Sequence, residues 1–97
     1  MFKELMKMSE KSLLEIIIEV DSKHKYFGII PVYPIYQNAK EKFNIPLDQF
    51  HSLLLEMEKN KEIYLEPIND VTRLSIEEKK TAIYDQVRGY LYYVGRW

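Results

Sequence analysis

The chain has 97 residues, no cysteine, and fourteen basic side chains against fifteen acidic ones, for a formal net charge of −1. That length supplies one domain, residues 1–97, and the missing thiols exclude disulfides, thiolate chemistry and Cys-ligated zinc. A near-neutral balance argues against a surface that grips phosphate everywhere, and no apolar run approaches the ~20 residues of a membrane span.

Met1 to Ser9 lacks the apolar core of a secretory signal, so a soluble, cytoplasmic protein with no membrane partner is expected. Phe2 to Asp21 carries Phe2, Leu5, Met6, Leu13, Ile16, Ile17 and Val20 at helical spacing, which predicts a first helix. Ser12 to Glu15 has the form of a capping box. The helix therefore starts near Ser9 or Ser12 after a short turn, or runs unbroken from Phe2. Asp21 to Lys25 is its charged exit.

Tyr26 to Val32 is β-prone but holds Gly28 and Pro31, and proline confines such a strand to an edge or an end. Pro34 suits the first turn of a second helix, where its missing N–H costs nothing. Ile35, Ala39 and Phe43 give that helix its inner face. It must stop by Asn44, because Ile45 precedes a proline. A third helix follows over Leu47–Asn60, with Leu47, Phe50, Leu53, Leu54 and Met57 on one side. Only Asn44 to Pro46 separate the two, the tight link of a helix-turn-helix.

The period then changes to two over Glu62–Ile68, a strand. Asn69-Asp70 is a turn signal. Ser75 and Glu78 form a second capping box, and a helix is expected to continue through Tyr84 with Ile76 and Ala82 or Ile83 inward. Tyr90 to Val94 is a strand that pairs antiparallel with Glu62–Ile68. Simple alternation places Leu91 and Tyr93 on one face and Tyr90, Tyr92 and Val94 on the other.

The turn FNIPLDQF (43–50), the helix core Phe50, Leu53, Leu54 and Met57, and the ribbons IYLEP (63–67) and RGYLYYV (88–94) together resemble the winged-helix superfamily over nearly the full length. The phrase LSIEEK (74–79) is similar to small winged-helix modules found alone or attached to larger prokaryotic DNA-processing and regulatory proteins. The resemblance implies an α+β winged helix: a three-helix core with an antiparallel β-hairpin wing that carries a helical insert. It also implies DNA binding, often as a homodimer.

On that fold Leu47–Asn60 is the recognition helix, with Asp48, Gln49, His51, Ser52, Leu55, Glu56, Glu58 and Lys59 on its outer face. Gln49, His51 and Ser52 are types that reach base edges or phosphates from the N-terminal half of such a helix. Arg73, Lys79, Lys80 and Arg88 are the wing cations that would grip the backbone. Asp48 complements the helix dipole, whereas Glu56 and Glu58 would face phosphates poorly.

The expected function is therefore double-stranded DNA binding, as a transcriptional regulator or an accessory DNA-processing factor. The alternative is a protein-interaction adaptor that uses Leu55, the tyrosines 64, 90, 92 and 93, and Trp97, with no nucleic acid. A bare structural dimer is a third reading. Two histidines (His24, His51) without a His-x-x-x-His pair, and three scattered glycines, point to no catalytic residue, metal or cofactor.

Overall fold

Leu13, Ile16, Ile17 and Val20 recur at the spacing of a single helical stripe, and all four are buried. They form the inner face of α1 (Glu10–His24) in the computed structural model, which describes residues 8–96. Of the expected starts, Ser9 is the cap: its side chain accepts from the Ser12 N–H. The expected helical residues before Met8 lie outside the described residues, as does Trp97. α1 runs three residues past its expected end at Asp21, through most of its charged exit. It closes when Lys25 turns left-handed and donates its N–H to the Asp21 carbonyl.

Strand β1 (Ile29–Pro31) is shorter than the β-prone stretch because Tyr26 to Gly28 are spent on the turn that leads into it. α2 (Val32–Phe43) starts directly after Pro31 and buries Val32, Ile35 and Ala39. Its end is set by Asn44, which takes the left-handed conformation its side chain tolerates well. Ile45 is buried between the helices, and its carbonyl accepts from the Tyr36 hydroxyl. α3 (Leu47–Lys59) then buries Phe50, Leu54 and Met57, and the Phe50 ring packs 4.9 Å from that of Tyr36. Each such side chain contributes about 1.5–3 kcal/mol by leaving water.

Strand β2 (Tyr64–Pro67) follows, then a 3₁₀ turn (Val71–Arg73), α4 (Ile76–Thr81), β3 (Ile83–Asp85) and β4 (Gly89–Gly95). The expected antiparallel pairing of the ribbon is present, with Tyr64 to Glu66 opposite Gly95 to Tyr93. β4 also pairs with β1, Ile30 opposite Val94, and with β3, Tyr84 opposite Tyr90. Leu91 faces Pro67 on one side and Ile83 on the other. β1 and β3 therefore lie end to end along one edge of β4, and β2 holds the opposite edge. The path of the sheet is β1-β4-β2.

Three expectations fail here. The insert helix stops at Thr81, and Ile83 belongs to a strand instead. Ile76 points outward at 72% exposure, because α4 is a single short turn-and-a-half whose buried end is Thr81 and Ala82. Simple alternation in the last strand is broken as well. Glu66 pairs with Tyr93 but Pro67 with Leu91, so Tyr92 is an extra residue, a β-bulge. The bulge reverses parity and lets Leu91 and Val94 both enter the core. Tyr92 is buried too, and Tyr64, Tyr90 and Tyr93 are only half-exposed, so the tyrosines do not form an open row.

The protein is thus α+β, with helices packed on a small antiparallel sheet around one cluster that runs from Leu13 to Val94. Among the described residues no helix is long and apolar enough to cross a membrane.

Candidate nucleic-acid interface

The outer face of α3 displays Asp48, Gln49, Ser52, Leu55, Glu56 and Lys59 to solvent. Gln49 and Ser52 are thus placed side by side as expected. His51 is not with them. It is half-buried, and its Nε2 lies 2.8 Å from the Thr81 carbonyl at the end of α4. A carbonyl only accepts, so Nε2 carries the hydrogen. Burial pushes the imidazole below its ordinary pKa, against the Thr81 carbonyl and the Asp48 carboxylate, which favour its charged form. The residue thus ties the third helix to the insert.

Arg88 is also committed within the fold. Its Nη1 and Nη2 donate to the two oxygens of Glu58 at 2.8 and 2.9 Å, a bidentate pair, and its Nε stands 3.8 Å from Asp85. Glu58, expected on the outer face, is drawn aside because it also accepts from the Leu65 N–H. The Arg88 hydrogen bonds, helped by Leu65, hold its carboxyl below the usual range in spite of partial burial. The two partners stand thirty residues apart in the chain, and neither local period nor spacing signals the pair.

Asp85 accepts from the N–H groups of Val87 and Arg88 at 2.8 and 2.9 Å, and Gly89 takes a φ of 89°. This closes a three-residue hairpin loop between β3 and β4. Its signal in the sequence is Asp85 to Gly89 flanked by Ile-Tyr and Tyr-Leu, although the capping box ahead of it favours a helix. Tyr84 and Tyr90 pair across this hairpin with ring centroids 5.1 Å apart, and Lys79 of α4 holds its ammonium 5.5 Å from the Tyr90 ring.

Three acids of the insert, Asp70, Glu78 and Asp85, accept from backbone N–H groups, whereas Glu77 is exposed. Asp70 caps the 3₁₀ turn through Thr72, and Glu78 accepts from the Ser75 N–H in the expected capping box. Arg73 and Lys80 make no ion pair among the described residues, and both are exposed. Arg73 borders a cavity of about 590 Å³ with Pro67, Asn69, Tyr92 and Tyr93. Lys80 borders a cleft of about 610 Å³ between α2 and α4, opposite Gln37 and Lys40. Of the seven expected contact residues, then, Arg73 and Lys80 lie on separate cavities of the insert and Lys79 by the Tyr90 ring, Gln49 and Ser52 share α3, and His51 and Arg88 act as internal ties. Among the described residues no three His, Asp or Glu side chains stand together as a metal site.

No known protein family, curated protein or solved structure matches this chain.

Proposed function

We propose that the chain is a winged-helix module that binds nucleic acid, as a transcriptional regulator or an accessory DNA-processing factor. The observation that carries this reading is topological. Helix, strand, helix, helix and strand lead into the insert and the last strand, the sheet order is β1-β4-β2, and three residues join α2 to α3. That order is compatible with a winged helix whose wing is the β2–β4 ribbon carrying the insert, with α3 as the helix offered outward. A near-neutral domain can bind phosphate only through a local cluster. Arg73, Lys79 and Lys80, all exposed on the insert, are the cations available to it, while Gln49 and Ser52 supply polar groups on α3.

A salt-titrated binding assay with random duplex DNA tests the reading. Each phosphate that a substitution leaves without its cation should flatten the slope of log K against log salt by about 0.9. Arg73→Ala with Lys80→Ala should therefore weaken binding and reduce the slope by about one to two. An unaltered slope would remove the insert from the interface, and no binding at low salt would remove the function.

A second reading, a protein-interaction adaptor, is favoured by Phe27, which stands 87% exposed on the turn before β1, and by Leu55, which is exposed on α3. It predicts that Leu55→Ser leaves duplex binding unaltered and abolishes a protein contact. Mass in solution separates a homodimer from either.

A further inference from the structure

Duplex DNA presents its bases edge-on and its stacking faces closed, whereas an unpaired strand offers those faces to any aromatic ring nearby. The surfaces of this protein differ in which of these they suit. α3 shows Asp48 and Glu56 to solvent, and its His51 flank is occupied by the end of α4. A helix so dressed meets the walls of a major groove with like charge on one side and with its own insert on the other. The β3–β4 hairpin has the opposite character. Tyr84 is 63% exposed and is braced on one side by the Tyr90 ring, 5.1 Å away. Lys79 stands over the same Tyr90, so a cation and an open aromatic ring flank a shared support. Ile76, one turn before Lys79, and Val87, 93% exposed at the loop, extend the apolar surface.

On this basis, and resting on the nucleic-acid reading above, we infer that the ligand carries an unpaired strand, one of whose bases stacks on Tyr84 while Lys79 meets an adjoining phosphate. Tyr90 fixes the position of the Tyr84 ring before the base arrives, so little freedom is lost on binding. The stacking face carries no hydrogen-bond code, and base identity matters little. The natural target is then a duplex that ends in a single strand, with the unpaired tail on the hairpin.

Fluorescence anisotropy with three labelled probes tests this: a blunt duplex of about 20 base pairs, the same duplex with a single-stranded tail of about ten nucleotides, and a single strand of about 20 nucleotides, lengths that exceed the footprint of one small domain. The tailed duplex should bind at least about tenfold more tightly than the blunt one. Tyr84→Ala should cost the tailed probe about 5- to 100-fold and leave the blunt probe unaltered, in keeping with the loss of one stacked base. Tyr84→Trp should retain the preference. Thermal unfolding checks that Tyr84→Ala, an exposed site, keeps its fold. Equal affinity for tailed and blunt duplex, or a tail preference that survives Tyr84→Ala, overturns the inference and leaves the proposed function standing. Failure of all three probes to bind overturns both.

Discussion

Asp21 is a buried acid whose two oxygens are both used. Oδ1 accepts from the Gly28 N–H at 3.2 Å, and Oδ2 from Arg96 Nη1 at 2.6 Å. The Arg96 N–H returns a bond to the Gly28 carbonyl, so one carboxylate joins the exit of α1 to the end of β4. Asp21→Ala strands the Gly28 donor and a half-exposed guanidinium, at a cost of about 1–3 kcal/mol. At this chain length each kcal/mol lowers Tm by about 4–8 °C, a shift that a thermal melt reads directly. Burial alone would raise the Asp21 pKa. The bonds from Arg96 and Gly28 outweigh it and hold the group below its ordinary value, as Arg88 does for Glu58. A carboxyl depressed on folding stabilises the protein above its unfolded pKa of about 4. That stability should drain away as pH falls from about 4 through the lower folded values. In urea titrations from about pH 6 down to about 2, a range that brackets this window, Asp21→Asn should show a shallower decline than the parent.

Strain is stored at the same turn. Lys25 and Phe27 hold φ values of 58° and 59°, where a side chain other than Asn or Asp is penalised. Asn44, at 52°, is well suited to the equivalent place after α2. Lys25→Gly should therefore stabilise the protein by about 1 kcal/mol, seen as a raised urea midpoint with an unaltered slope. Asn44 before Ile-Pro marks its turn plainly in the sequence. The Lys25 turn is unmarked, because the buried Asp21 network that enforces it closes across 75 residues.

Among the elements, α4 is the one whose existence rests on local chemistry. It has six residues, too few for a helix to persist on its own. Its capping box, Ser75 Oγ to the Glu78 N–H at 3.1 Å and Glu78 Oε1 to the Ser75 N–H at 2.8 Å, therefore matters more than it would in a long helix. Ser75→Ala should cost about 1 kcal/mol. Hydrogen exchange should speed up over residues 76–81 while the amides of α1 and β4 keep their protection. The helix stripes and the Asn44–Pro46 link are readable in the sequence because each depends on residues within a turn or two. The β-bulge at Tyr92 is not. It answers to Pro67 on one edge and to the gap between β1 and β3 on the other, and no alternation within β4 records either. For the same reason β3 reads as helix: the capping box is local, and the strand partner Leu91 is not.

At the scale of the whole molecule, the candidate interface is set less by net charge than by where the acids are engaged. Fourteen cations and fifteen anions would cancel if evenly spread. In the insert, Asp70, Glu78 and Asp85 serve backbone N–H groups, so that Glu77 alone of its acids faces the exposed Arg73, Lys79 and Lys80 without such a bond. The arrangement of elements is accessible from their order, since short links leave few ways to pack three helices on a ribbon. The working surface is only half accessible. Gln49 and Ser52 follow from helical phase, whereas the engagement of His51 by Thr81 and of Arg88 by Glu58 joins residues thirty positions apart.

β4 is the shared partner of all three other strands, and it is the last of them along the chain. During synthesis α1 and α2 can meet early, but α2 also packs on α4 and β4, which emerge late. β1, β2 and β3 have nothing to join until residues 89–95 leave the exit tunnel. For that interval Ile30, Leu65 and Ile83 lack the strand that pairs with theirs. Chaperone dependence and clipping by proteases should concentrate in that window and end abruptly with the arrival of one seven-residue segment.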